Sequence, residues 1–468
     1  MITSPFYWGV ASAAAQTEGA ADEDGRGPSI WDEFSLRRRK IAGGHTPAIS
    51  SSFYHRYAED IDLLALLGIP NFRFSVSWSR IFPEGKGHIN QKGVDFYDRL
   101  VDTCLEKNIQ PWITLYHWDL PLALEKKGGW TQRDTVQHFC DYASLAVRKF
   151  GDRVQHWMAL NEPLAFTGAG YFLGIHAPGK RGLQHFIPAA HHATLAQAQG
   201  IRIIQDHGKT AGTTFSCSWI TPHSEKERDI KAAQRTDALM NRFYIEPLLG
   251  YGYPLNDLPF LRKIEKYIQA GDENAMVATP DFIGIQNYTR EVVKHSWFTP
   301  YMQATLVGAP RRGVPHTLMK WEIYPEGIYL LLKKFAAYPE VKSIIVTENG
   351  AAFPDQLING EVNDTERSGY LEAYIRQVLR AKAEGVPVDG YFVWSLTDNF
   401  EWAEGYYPRF GLIHVDYSTQ KRTIKSSALA YGKWIREYKL EAKCESVSAL
   451  HNKSEAVDVF STDHPTES

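Results

Sequence analysis

The chain is poor in cysteine and methionine, with four and six among 468 residues, and it has no C-x-x-C pair. Cys104, Cys140, Cys217 and Cys444 are scattered, so neither a disulfide framework nor a zinc site is suggested and reduced thiols are expected. No stretch is apolar enough to span a bilayer, and the opening MITSPFYWGV lacks a charged region followed by an apolar run and a cleavage site. A cytoplasmic location without a membrane partner is therefore expected. On that expectation the N-x-S/T triplets at Asn287, Asn363 and Asn452 carry no glycosylation meaning. Neither sign of charge dominates: 51 Lys and Arg face 54 Asp and Glu, which gives no field to gather nucleic acid. Arg37, Arg38, Arg39 and Lys40 form the one dense basic run and read as a solvated loop. The first strand runs into SAAAQTEGA, with no G-x-G-x-x-G turn, which weighs against an open dinucleotide-binding sheet.

Aromatics are plentiful, at 13% of the chain with 13 Trp, and the apolar residues fall into a repeating order. Eight segments read as strands: 6–13, 71–78, 110–118, 154–162, 211–219, 281–289, 343–349 and 388–396. Most are apolar on consecutive positions, as strands buried on both faces must be. Between them lie helical spacings, such as Tyr57, Ile61, Leu64 and Leu67, or Val94, Tyr97, Leu100, Val101 and Leu105. The pattern continues over 132–149, 188–206, 227–247, 325–337, 367–384 and 424–438. Eight such units predict an α/β fold, a single (β/α)₈ TIM barrel with extended βα loops, over residues 1–440. Residues 441–468 lose periodicity and read as a polar tail without catalytic role.

In such a barrel the C-terminal strand ends converge on one face. Those ends carry Gln16 and Glu18, Arg73 and Trp78, His117 and Trp118, Asn161 and Glu162, Trp219, Gln286 and Tyr288, Glu348 and Trp394, with Glu401 and Trp402 in the last loop. Two glutamates, after the fourth and seventh strands, are what glycoside hydrolysis requires: one protonates the leaving oxygen while the other attacks or activates water. Sugars need flat apolar faces, which Trp118, Trp394 and Trp402 supply, and forked polar groups, which Gln16, His117, Asn161 and Glu401 supply. Singly, each has an ordinary structural explanation, a core indole or a paired arginine; together they do not. The adjacent His191 and His192 cannot share one helix face, so a metal role is not expected, and one solvated and one buried imidazole is the simpler reading.

The segments QTEGA, RFSVSWSRIFPEGKGHIN, TLYHWDLP, ALNEP, WEIYPEG, VTENG and NFEWAEGYYPRFGLIHVDY together resemble glycoside hydrolase family 1, the β-glucosidase family of retaining enzymes, over about residues 5–437. The resemblance implies Glu162 as general acid/base and Glu348 as nucleophile, with Arg73 and Tyr288 holding the nucleophile. It implies Gln16, His117, Asn161, Glu401 and Trp402 as sugar ligands, Trp394 as stacking floor and Trp321 as a wall for the leaving group. It implies a small-molecule β-glycoside substrate, no cofactor and no metal. Retaining enzymes set their carboxyls about 5–5.5 Å apart, so both cannot ionise freely; Arg73 and Tyr288 would favour the anion at Glu348 and leave the proton on Glu162.

Departures from the family pattern include Gln286 where Asn is usual, which places a longer amide near the sugar 2-hydroxyl region. Leu122, Leu318, Lys320 and the TPAISSS loop depart nearer the entrance. Glu401 stands where 6-phospho-β-glycosidases usually carry Ser, which favours an unphosphorylated sugar, and Glu162 argues against the thioglucosidases. The expected function is retaining β-glucosidase action on cellobiose and on aryl or alkyl β-glucosides. The alternatives are a β-galactosidase or β-fucosidase preference, or a catalytically silent sugar-binding barrel. Oligomeric state is left open.

Overall fold

The computed structural model describes residues 6–440. Eight parallel strands close a barrel: β1 (Tyr7–Ala11), β2 (Asn71–Ser75), β3 (Gln110–Tyr116), β4 (His156–Asn161), β5 (Thr210–Ser216), β6 (Phe282–Gln286), β7 (Ile344–Asn349) and β8 (Val388–Trp394). Each pairs with its sequence neighbours, and β1 closes the ring on β8 from Tyr7↔Gly390 to Ala11↔Trp394. One principal helix follows each strand: α1 (Phe53–Leu67), α2 (Gln91–Glu106), α3 (Asp134–Phe150), α4 (Leu183–Asp206), α5 (Glu227–Asp237), α6 (Glu326–Ala336), α7 (Thr365–Ala383) and α8 (426–440).

The helices form because their apolar residues recur at three and four. On α2, Val94, Tyr97, Leu100, Val101 and Cys104 are buried on one face while Asp95 and Arg99 lie toward solvent. Alternation along each strand then divides the apolar residues into two cores. Outward side chains such as Phe72, Phe74, Ile113 and Leu115 pack under the helices. Inward ones, among them Trp112, Met158, Phe282, Ile345 and Phe392, fill the barrel as a separate cluster. Strands approach so closely there that a Cβ on Gly284 would lie 2.6 Å from Thr214 Cγ2 and 2.9 Å from Thr347 Cγ2.

Three expectations change. The predicted helix 227–247 is not regular throughout: after Asp237 its turns widen over Ala238–Arg242, and α-helix resumes at Ile245–Leu249. The strand expected at 211–219 stops at Ser216. Trp219–Pro222 joins Arg290–His295 and Ala304–Leu306 in a small outlying sheet. Finally, His191 and His192 are both buried, because neighbouring segments cover α4 on both sides. His191 bonds Asp272 and Tyr253, and His192 donates to the Trp130 carbonyl. The expected polar tail lies outside the described residues.

A buried ionic cluster ties the loop after β8 to α7 and α8. Lys425 Nζ reaches Asp398 Oδ1 at 2.7 Å and Asp355 Oδ2 at 2.5 Å, and Arg367 pairs with Asp355 and Asp364. Asp398 also bonds Arg409 at 2.6 Å and accepts from the Gly411 and Val415 amides. Removing one partner leaves opposite charges buried and unpaired, which costs far more than the pair contributes. Lys425→Met is therefore expected to lower unfolding free energy by about 3–5 kcal/mol in urea titrations, and a loss under about 1 kcal/mol would show that the cluster contributes no more than a surface pair.

Candidate active site

The barrel's C-terminal mouth opens into a cavity of about 310 Å³, whose walls include Gln16, His117, Trp118, Glu162, Tyr288, Trp321, Glu348, Trp394, Glu401 and Trp402. Arg73, Asn161 and Gln286 stand directly behind that lining and are fully buried. The thirteen residues given a role from the sequence thus gather at one place, whereas Glu18 pairs with Arg80, Trp78 lies in the core and Trp219 stands on the outlying sheet.

The backbone departs from regular strand geometry where these side chains are needed. The β7 register shifts between Val346 and Glu348, and the β4 register shifts between Met158 and Asn161. Such irregularities re-aim a side chain without disturbing the rest of the ladder. Three neighbouring pairs, His117–Trp118, Asn161–Glu162 and Glu401–Trp402, place both members at the site although a strand would send them to opposite faces. In each pair the second residue turns through a left-handed conformation, with φ of 74° at Trp118 and 46° at both Glu162 and Trp402. Non-glycine residues held there cost on the order of 1–3 kcal/mol each, so the surrounding packing must hold them.

Glu348 is gripped by three donors. Arg73 Nη1 donates to Oε1 at 2.5 Å, Gln286 Nε2 to the same oxygen at 2.8 Å, and the Tyr288 hydroxyl to Oε2 at 2.7 Å. Arg73 Nη2 also donates to Asn161 Oδ1 at 2.5 Å, and Thr214 and Gln286 donate to that oxygen too. With Oδ1 so occupied, Asn161 turns its Nδ2 toward His117 Nε2 at 3.0 Å. Burial, aided by the Arg73 charge, keeps His117 neutral. A neutral ring that accepts at Nε2 carries its proton on Nδ1, which has no protein partner and remains able to donate to a ligand.

The two candidate carboxyls differ in support. Burial raises both above the ordinary carboxylate range. At Glu348 this is opposed by Arg73 first, then by Tyr288 and Gln286. At Glu162 the negative charge of Glu348 adds to burial and lifts the group to about 8, against weaker opposition from Ser216 and Arg73. Glu348 therefore ionises first and Glu162 keeps the proton. Glu401 is likewise raised to about 8, by burial and then by Glu348, and Gln16 Nε2 donates to it at 3.4 Å.

The extra methylene of Gln286 brings its amide to Glu348 and Asn161, so its nitrogen is occupied by protein while its oxygen has no protein partner. Trp118 and Trp402 pack with ring centroids 4.6 Å apart, and the Trp118 indole donates to the Asn161 carbonyl at 2.9 Å. Sequence reading missed further wall residues, notably His176, Glu291, Met319 and Glu404. They come from loops and the outlying sheet, where no strand-end pattern announces them.

Across residues 1–440 the chain matches the model of glycosyl hydrolase family 1. It is 42% identical to beta-glucosidase A of Thermotoga maritima, over 93% of this chain and 98% of that one. The chain belongs to glycosyl hydrolase family 1. Beta-glucosidase A of Acetivibrio thermocellus is 43% identical over 93% of this chain and 98% of its own. The solved family 1 β-glucosidase of Thermotoga maritima superposes with a TM-score of 0.89 at 42% identity, covering 92% of this chain and 97% of that one. A structure of the same bacterium's β-glucosidase in complex with deoxynojirimycin superposes with a TM-score of 0.89 at 41% identity, covering 93% and 98%.

Glu348→Gln removes a like charge beside Glu162 and frees the Arg73 cation, and both changes favour the Glu162 anion. The Glu162 pKa, followed by carboxyl ¹³C NMR, is expected to fall below its wild-type value near 8. An unchanged or higher value would show that Glu348 does not set it.

Proposed function

We propose that this protein is a retaining β-glucosidase that removes terminal β-D-glucosyl residues from short oligosaccharides such as cellobiose and from aryl and alkyl β-glucosides. The observation that carries this reading is the unequal support of two carboxyls in one cavity: Glu348 held by three donors, Glu162 raised by burial and by Glu348 itself.

In the first step a Glu348 oxygen attacks the anomeric carbon, and the bond to the leaving oxygen breaks as Glu162 delivers its proton there. With that proton gone and Glu348 esterified, Glu162 is the anion. In the second step it takes a proton from water, whose oxygen replaces Glu348 at the same carbon, and the Glu348 carboxylate is released. Two inversions give net retention. Positive charge develops on the sugar ring in both transition states. The cavity suits it: the Glu348 carboxylate faces the sugar before its bond forms and as that bond breaks, Glu162 is the anion in the second step, and the lining has no lysine or arginine.

His117 Nδ1, Gln16 and Glu401 supply the hydroxyl contacts, and Trp394 and Trp402 the apolar faces. Glu401 offers its oxygens to hydroxyl donors, and the lining offers a phosphate no lysine or arginine, which supports an unphosphorylated sugar. Glucose is favoured over galactose and fucose by the β-glucosidase names of the similar chains. A silent binding role is not favoured, since both carboxyls are present and supported. The free thiols of Cys104, Cys140 and Cys217 are consistent with a cytoplasmic setting.

Glu162→Ala is expected to lose about 10²–10⁴-fold in kcat/KM on cellobiose, where the leaving oxygen needs a proton, and far less on dinitrophenyl β-glucoside. Equal loss on both substrates would contradict a proton-donor role. Release of glucose from cellobiose by the wild type, against none from lactose or cellobiose 6-phosphate, tests the substrate assignment.

A further inference from the structure

Glu291 and Glu404 are the wall acids that the proposed chemistry leaves without a task; Glu404 is exposed, whereas Glu291 is half-buried. Glu291 lies on the outlying strand Arg290–His295, paired at Ile220↔Glu291 and facing the cavity. Its carboxylate has no hydrogen bond or ion pair among the described residues, although two arginines stand close by. Both are engaged by Glu322: Arg290 binds it through two nitrogens at 2.8 and 2.9 Å, and Arg312 Nη2 binds it at 2.6 Å. Strand alternation sends the neighbouring Arg290 and Glu291 to opposite faces. The Arg290–Glu322 bridge joins the residue before Glu291 to the residue after Trp321, so Glu291 sits at the same end of the cavity as Trp321, Met319 and Thr289. That end is walled by Trp321 and the Met319 thioether, and the two arginines nearest its acid are already bound to Glu322.

We propose that Glu291 selects the leaving group, accepting hydrogen bonds from donor-bearing aglycones, binding cationic ones best and rejecting anionic ones. The inference rests on the proposed glucosidase reading, which makes the Trp321 end the aglycone side. Burial, only partly opposed by the Arg312 charge, raises the Glu291 carboxyl to about 7. A donor or cation beside it would restore the anion, which adds to the attraction. Removing this carboxylate breaks no protein contact, so Glu291→Gln changes the charge of the wall without undoing the fold.

The test uses 4-(aminomethyl)phenyl, 4-methylphenyl and 4-carboxyphenyl β-D-glucosides with wild type, Glu291→Gln and Glu291→Ala. Comparing each substrate between wild type and variant cancels its intrinsic reactivity. In both variants kcat/KM is expected to fall about tenfold for the aminomethyl substrate, rise for the carboxyl substrate, and stay within about twofold for the methyl one. Parallel shifts for all three, or none, would overturn the proposal. Failure of the glucosidase reading has a different signature, no turnover of the methyl substrate by the wild type. Calorimetric binding of the same three glucosides would then decide the Glu291 assignment by the same pattern.

Discussion

A guanidinium buried inside a barrel needs partners on every side, and Arg73 is fully buried. Its partners are Glu348, Asn161 and the Met158 sulfur, 3.1 Å from Nε. This one constraint propagates. It turns Glu348 so that Tyr288 and Gln286 can also donate. It fixes the Asn161 oxygen, which sends the Asn161 amide to His117 and thereby places the His117 proton on the nitrogen without a protein partner. The candidate nucleophile and a candidate sugar-binding imidazole are thus oriented by a single cation.

The same cation makes the two carboxyls unequal. Burial alone would push both toward neutrality. Arg73 opposes this most at Glu348, and the resulting anion raises Glu162. Glu162 and Glu348 are therefore one coupled system, in which placing charge on one residue puts the proton on the other. Glu401, raised by burial and by Glu348, extends the coupling across the cavity.

Much of this was legible in the sequence because buried parallel strands are apolar on consecutive positions, and the strand after the last apolar residue is short. Val346 followed by Thr347 and Glu348 marks the end of β7 within a residue, and Leu160 before Asn161 does the same for β4. The barrel rule then brings those ends together whatever their separation in the chain. What escaped has no period. Left-handed turns at Trp118, Glu162 and Trp402 use residues with no visible preference for them, so the sequence named both members of each pair but not the backbone turn that brings them to one face. Glu291 follows the tyrosine loop on a strand that belongs to another sheet. Trp219, expected at a barrel strand end, belongs to that sheet too and leaves the catalytic cavity. His191 and His192 looked like one inward and one outward residue because a spacing rule cannot see that α4 is covered on both flanks.

The account stands or falls on Glu348 forming the bond to the sugar. Incubation with a 2-deoxy-2-fluoro-β-glucosyl fluoride, followed by peptide mass mapping, tests this directly, since the fluorine slows release of the ester more than its formation. The expected result is one fluoroglucosyl group on the peptide that contains Val346 to Gly350, located at Glu348. A label on Glu162 or Glu401, or turnover with inversion at the anomeric carbon and no label, would contradict it.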